Sequence, residues 1–197
     1  QTPLSGDLSV FPRKREIPLI VRRSRMSRTE ARRHFQLKPD EKVVLISFGG
    51  MGLDAIRPEY LERYRDITFL TFDRQLLGPS NVRFLPPGVT YHPDAIQAAD
   101  LALTKLGYGI VTECIAHRTP IVYPPRHDFP EHQILERDAS RWIEIYPVAE
   151  NAFYSGRWGD LENLCKTEVN HEESEEYNTM LQGGDAVAEF LSARFPG

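Results

Sequence analysis

The stretch Leu106-Gly107-Tyr108-Gly109-Ile110-Val111-Thr112-Glu113 sets two glycines beside a carboxylate one helical turn further on. Upstream, Asp100-Leu101-Ala102-Leu103-Thr104 reads as a short buried strand, and downstream Pro120-Ile121-Val122-Tyr123-Pro124 reads as the next. Glycines at a strand-to-helix turn let the backbone approach a ligand. The helix N-terminus offers unpaired N–H groups to an anion, and a carboxylate accepts from a sugar hydroxyl. Ile110, Val111, Cys114 and Ile115 share one helix face, with Thr112 and Glu113 outside that stripe. The same residues also have a structural use: glycine eases the turn, and a glutamate near a helix start meets the positive end of the dipole.

A second glycine cluster, Gly49-Gly50-Met51-Gly52, follows the apolar run Lys42–Phe48. It is neither G-x-G-x-x-G nor a P-loop, since no Gly-Lys-Ser/Thr follows, and Asp73 is the acid nearest the spacing of a dinucleotide site. A third cluster, His127-Asp128-Phe129-Pro130-Glu131-His132-Gln133, opens the segment after the fifth expected strand. Its groups suit a polyhydroxylated ligand, or simply a polar helix start, and Arg126 beside it suits a phosphate or a surface ion pair.

The elements that position these clusters alternate. Strands are expected at Lys42–Phe48, Ile67–Phe72, Val82–Leu85, Leu101–Thr104, Ile121–Tyr123 and Ile143–Tyr146. Helices are expected from Ser27, with Glu30 completing a capping box, to about Phe35. Further helices are expected at Pro93–Ala99, Gly109–His117, Phe129–Arg141, Leu161–Lys166, Glu172–Leu181 and Asp185–Arg194, with weak helicity at Tyr60–Tyr64. Gly183-Gly184 is read as a break and Asp185 as an N-cap. This pattern predicts an α/β, Rossmann-like parallel sheet of about six strands with helices on both faces. Ligands of such sheets bind beyond the carboxyl ends of the strands, where both glycine clusters fall. Residues 1–26 read as an arm or linker, and residues 27–197 as the domain.

Composition narrows the class. The balance, 41% hydrophobic and 26% charged, is that of a globular domain. No window is apolar enough to span a membrane, and no signal peptide is visible. Cys114 and Cys165 make no disulfide framework or metal-ligand spacing; a reduced Cys114 in the core suits a cytoplasmic protein. The net charge of −4 hides a basic N-terminal segment, Arg13 to Arg33, and an acidic segment between Asp160 and Glu189. No aromatic interleaving accompanies the basic residues, so nucleic acid is not expected as a partner; peripheral contact with an anionic membrane surface is compatible with them. The chain begins at Gln1 rather than Met, and is expected to be part of a longer protein.

The pattern Phe48-Gly49-Gly50, then Asp100 through Glu113, then Pro120-Ile121-Val122-Tyr123 and Glu131-His132-Gln133, resembles the C-terminal, donor-binding half of GT-B glycosyltransferases. The likeness is to the branch holding the bacterial peptidoglycan N-acetylglucosaminyltransferase, and more nearly to the glycosyltransferase-like region of plant L-arabinokinases. It runs from Ile17-Pro18-Leu19-Ile20-Val21-Arg22-Arg23 to the terminal Gly183-Gly184-Asp185 helix. The resemblance implies a UDP-sugar as substrate, inverting transfer, and no cofactor or metal. It also implies a second, N-terminal acceptor domain of the same protein, which supplies the catalytic base and without which this half is inactive. Residue by residue, Glu113 and Thr112 would meet the ribose side, and Gly107, Tyr108 and Gly109 the diphosphate. Val89, Thr90 and Tyr91 would read the uracil. Gly49, Gly50, Met51 and Gly52 would line the cleft, and Arg126, His132 and Gln133 would face the donor sugar. Lys105-Leu106-Gly107 and the His-Gln pair depart from the family's usual residues, which leaves the donor sugar open. Two alternatives stand beside this reading: a non-catalytic nucleotide-sugar-binding or regulatory module, and a UDP-sugar epimerase-like domain, for which few cleft acids are present.

Overall fold

The structure is a computed structural model that describes residues 1–48, 56–165 and 174–195. Six parallel strands form one sheet: β1 (Lys42–Ile46), β2 (Ile67–Thr71), β3 (Val82–Phe84), β4 (Leu101–Leu103), β5 (Ile121–Tyr123) and β6 (Ile145–Pro147). Their order is β3-β2-β1-β4-β5-β6, so the direction of winding reverses between β1 and β4. The register pairs Val44 with Phe69 on one side and with Leu101 on the other. The fold is the expected α/β, Rossmann-like architecture, consistent with one half of a GT-B fold.

β1 is buried along nearly its whole length because both sheet faces are covered, which is why its sequence is a continuous apolar run rather than an alternating one. Alternation reappears as a division of labour. Val43 and Leu45 join Leu70, Ala102, Ile121 and Tyr123 in one core, while Val44 and Ile46 join Phe69, Leu101, Leu103 and Val122 in the other. The first core is closed by residues of α1 (Arg28–His34), α2 (His92–Ala98), α3 (Tyr108–His117), α4 (His132–Ala139) and α7 (Glu175–Met180). The second is closed by a 3-10 turn at Pro58–Arg63, by α5 (Glu150–Tyr154) and α6 (Leu161–Leu164), and by the buried ring of Trp158.

Local signals explain most boundaries. α1 starts at Ser27 with the full capping box: Ser27 Oγ accepts from the Glu30 N–H, and the Glu30 carboxylate accepts from the Ser27 N–H at 2.8 Å. Arg28 and Arg32 then anchor α1 through Asp100, whose other oxygen accepts from the Val43 N–H at 2.6 Å. The basic segment therefore pairs with Asp100 and, through Arg22, with Glu113.

The C-terminal helix corrects an expectation. α8 runs Gly183–Arg194, with Gln182 at the cap position and Asp185 inside the first turn. The cause is tertiary. The Gly183 N–H donates to the Leu19 carbonyl at 3.0 Å, and Leu19 in turn donates to Met180 at 2.8 Å. A Cβ on Gly183 would lie 2.2 Å from the Pro18 carbonyl oxygen, so the contact, not a helix break, requires glycine there. Residues 1–26 lie against the domain: Leu4 and Leu19 are buried in the first core, and Tyr108 donates to Thr2 at 3.2 Å.

Candidate functional site at the carboxyl edge of the sheet

The winding reverses between β1 and β4, and in open α/β sheets the carboxyl ends at such a reversal form the ligand crevice. Ser47 and Phe48 leave β1 there, Thr104 and Lys105 leave β4, and α3 begins at Tyr108 with Gly107 as its cap residue. No described side chain caps α3, and no described atom lies within 4 Å of where a Cβ would stand on Gly107 or Gly109. Among the described residues, the N–H groups of its first turn have no side-chain partner, the setting in which a helix start can take an anion. Lys105 Nζ lies 5.7 Å from the centre of the Phe48 ring at this edge, a cation beside the same crevice.

Glu113 lies in the second turn of α3 and is almost wholly buried, at 1% exposure. Thr112 and Glu113, expected outside the apolar stripe, are buried together with Val111, Cys114 and Ile115, because α3 is covered on more than one side. Both Glu113 oxygens have partners. Arg22 Nε donates to Oε1 at 2.6 Å, and His92 Nδ1 donates to Oε2 at 2.6 Å. Arg22 Nη2 also meets Oε1, so Oε1 is doubly engaged and Oε2 keeps one lone pair. The Arg22 side chain is 62% exposed, whereas the Glu113 side chain that it covers is 2% exposed. His92 stands at the first position of α2, stacked on Phe72 at 5.2 Å, and its Nε2 meets Ser47 Oγ at 2.9 Å. Thr112 directs its hydroxyl hydrogen to the Gly109 carbonyl at 3.0 Å.

Behind Glu113, His117 completes a second set of bonds. Its Nδ1 donates to the Glu113 carbonyl at 2.7 Å, and its Nε2 accepts from the Ser24 N–H at 2.9 Å. Protonation would remove that acceptor, and burial, the larger cause, already holds the His117 pKa below its ordinary value.

A separate cavity of about 280 Å³ opens beyond β5, lined by Pro125, Arg126, His127, Phe129, Pro130, His132, Gln133 and Glu136. His132 is 4% exposed, and neither ring nitrogen has a hydrogen-bond partner among the described residues. Its ring lies 5.6 Å from that of Tyr123, whose hydroxyl donates to Glu136. Burial lowers the His132 pKa, so the imidazole is held neutral. Arg126 spreads over Phe129 at 4.6 Å. A larger cavity of about 460 Å³ lies among Gln1–Pro3 and Glu16–Pro18, away from these groups.

The expected site residues therefore fall into groups. Arg126, His132 and Gln133 share one cavity. Gly107, Tyr108 and Gly109 form the open start of α3, and Thr112 and Glu113 lie in the buried turn behind it. Val89 and Tyr91 are exposed on the loop before α2, joined to Glu113 through the adjacent His92. Thr90 donates to the Pro86 carbonyl at 3.1 Å and lines a further cavity of about 260 Å³ beside Leu85 and Phe84. Gly49, Gly50, Met51 and Gly52 lie outside the described residues. Ser47, His92, Lys105 and Arg22 carry polar groups at the site that the motif reading did not single out. The one available signal was His92 at a helix start following the Pro86-Pro87-Gly88 turn. Among the described residues no group of His, Cys, Asp or Glu is placed to hold a metal ion, and no helix is long and apolar enough to cross a membrane.

No family model matches the chain. Among curated proteins it is similar to an L-arabinokinase of Arabidopsis thaliana, 32% identical over 126 residues, which is 61% of this chain and 12% of that protein. Among solved structures it superposes on the glycosyltransferase of kitacinnamycin with a TM-score of 0.64 at 19% identity, covering 98% of this chain and 52% of that one. The calicheamicin glycosyltransferase CalG4 gives 0.60 at 18%, with the same coverage. SnogD of Streptomyces nogalater, also a glycosyltransferase, gives 0.57 at 11%, covering 94% and 51%. The chain thus spans about half the length of its structural neighbours and a small part of its curated relative.

Proposed function

We propose that this chain is the donor-binding half of a glycosyltransferase that takes a UDP-sugar and transfers the sugar with inversion, without a metal ion. The observation that carries the reading is the α3 N-terminus: N–H donors without a side-chain cap among the described residues, at the β1/β4 reversal, backed by the buried Glu113 carboxylate. In this reading the N–H groups of Tyr108 and Gly109 hold the diphosphate, and the helix dipole, with Lys105 nearby, stabilises charge on the departing UDP. A ribose hydroxyl donates to Glu113 Oε1 and displaces the exposed Arg22 from it. The backbone of Val89–Tyr91 reads the base. The unpartnered His132 nitrogens, with Arg126 and Gln133, face the donor sugar. The acceptor and its general base belong to a second domain of the parent protein. A cytoplasmic location accompanies this reading and suits two free cysteines; burial pushes the Cys165 thiol up to about 12.

Calorimetric titration with UDP, GDP, ADP and NAD tests the reading. UDP is expected to bind preferentially, and Glu113→Gln to weaken it about tenfold to a hundredfold, the size of a lost charged hydrogen bond. Equal binding of all four, or unchanged binding in the variant, sinks the assignment. The similarity to L-arabinokinase supports a second reading, a nucleotide-sugar-binding module inside a larger protein named for another activity. Transferase turnover by the parent protein separates the two.

A further inference from the structure

The contacts around His92 form a chain of three groups with a distinct chemical meaning. The Glu113 carboxylate can only accept, so His92 Nδ1 carries the hydrogen of that 2.6 Å bond. In the tautomer with Nδ1–H, Nε2 is an acceptor, and Ser47 Oγ, 2.9 Å away, is placed to donate to it. A hydroxyl bonded to an imidazole that is itself oriented by a buried carboxylate is the arrangement that activates a serine nucleophile. We propose that Ser47, His92 and Glu113 form a nucleophilic triad able to take the acyl group of a small carboxylic ester.

Each member is held before any substrate arrives. Ser47 is tied to β4 on both sides of its backbone: its N–H donates to the Leu103 carbonyl at 3.2 Å, and its carbonyl accepts from the Thr104 hydroxyl. The His92 ring is fixed in plane by the Phe72 stack. Glu113 is fixed by Arg22. Such support is what a functional constellation needs to keep its geometry. The triad sits at the carboxyl edge of the sheet, with Ser47 8% exposed and the His92 side chain 22%, so only a small reagent is proposed to reach it.

The reaction closes on these atoms. Ser47 Oγ attacks the ester carbonyl carbon while its proton passes to His92 Nε2. The imidazolium, stabilised by Glu113, protonates the leaving alcohol oxygen as the C–O bond breaks, which leaves the acyl group on Ser47 Oγ. Water then gives a proton to Nε2 and attacks the acyl carbon. Carboxylic acid departs, and the serine hydroxyl is restored with the proton held on His92. Glu113 acts as a positioning residue, since it touches only His92 and Arg22 among these groups.

The test is covalent labelling of this chain with a small alkyl fluorophosphonate, in which Oγ displaces fluoride from phosphorus. The adduct is mapped by peptide mass spectrometry, with turnover of p-nitrophenyl acetate measured in parallel. The expected result is a single adduct on the peptide carrying Ser47. Labelling should be about 100-fold or more slower in His92→Asn, which keeps the Nδ1-like donor to Glu113 and loses the base. Glu113→Gln should slow it with the same adduct site, and circular dichroism checks that each variant is folded. If His92→Asn does not fold, His92→Gln replaces it. No adduct, an adduct elsewhere, or an unchanged rate in a folded His92 variant overturns the triad. None of these results depends on whether UDP binds, so the triad and the donor-site reading fail separately.

Discussion

The two polar centres at the carboxyl edge are built in opposite ways. Around Glu113 each titratable group has a partner inside the protein: Arg22 and His92 on the carboxylate, Ser47 on His92, Ser24 on His117. Around His132, one β-strand further along the sheet, both ring nitrogens are buried and without a partner among the described residues, and the residue lines a cavity of about 280 Å³. A buried polar atom without a partner costs about 1–3 kcal/mol, so a centre like the first contributes to stability and a centre like the second subtracts from it. The contrast separates residues that hold the site in shape from residues whose partner has to arrive from outside.

Four measurements break or sharpen that contrast. The largest effect is expected from Glu113→Ala, which leaves His92 without its acceptor and opens a void; urea denaturation should register a loss of about 2–3 kcal/mol. A loss near zero would mean that the Arg22 and His92 bonds contribute nothing net, and the contrast would collapse. His132→Phe should act in the other direction. It keeps the ring contact with Tyr123 and removes two unpartnered nitrogens, so the free protein should gain about 1 kcal/mol. A comparable loss would show that water satisfies the imidazole.

Arg22→Ala should cost less than about 1 kcal/mol, because the guanidinium is mostly solvated. If ribose competes for Glu113, the same variant should bind UDP severalfold more tightly in a titration, and weaker binding would assign Arg22 to the ligand instead. The smallest effect is on pH dependence. With the folded-state pKa of His117 below its ordinary value of 6.5, the unfolded chain binds more protons as pH falls through that range. Stability should therefore be full above about 6.5 and decline below it. His117→Gln should flatten the slope, and an unchanged slope would place the titration at another group.

Much of this was legible in the residues. All six strands lie where the apolar runs put them, with ends shifted by a residue or two, and the Ser27–Glu30 capping box formed as its spacing requires. Local chemistry specifies such features, so local reading finds them. Asp185 as an N-cap failed because a backbone contact with Leu19 moved the helix start to Gly183. Helix α5 went unread because its short Glu150–Tyr154 span carries no repeating stripe. The site divides along the same line. Gly107, Gly109 and Glu113 were visible as a strand–turn–helix pattern. Arg22 and His92 reach Glu113, and Ser47 reaches His92, across long stretches of chain, and no periodicity encodes a meeting of that kind.

The seat of Leu19 also bears on how the molecule is made. Leu19 is completely buried, yet its two backbone bonds go to Met180 and Gly183, from the opposite end of the sequence. The sheet can assemble from segments that are neighbours in sequence, but this closure joins residue 19 to residues 180–183 and carries the entropy of a very long loop. Docking of the segment around Leu19 should therefore be the slow final step when the domain refolds. Gly183→Ala, which crowds that closure, should show itself as retarded late protection of the Leu19 amide in pulsed hydrogen exchange, with the strand amides protected on schedule.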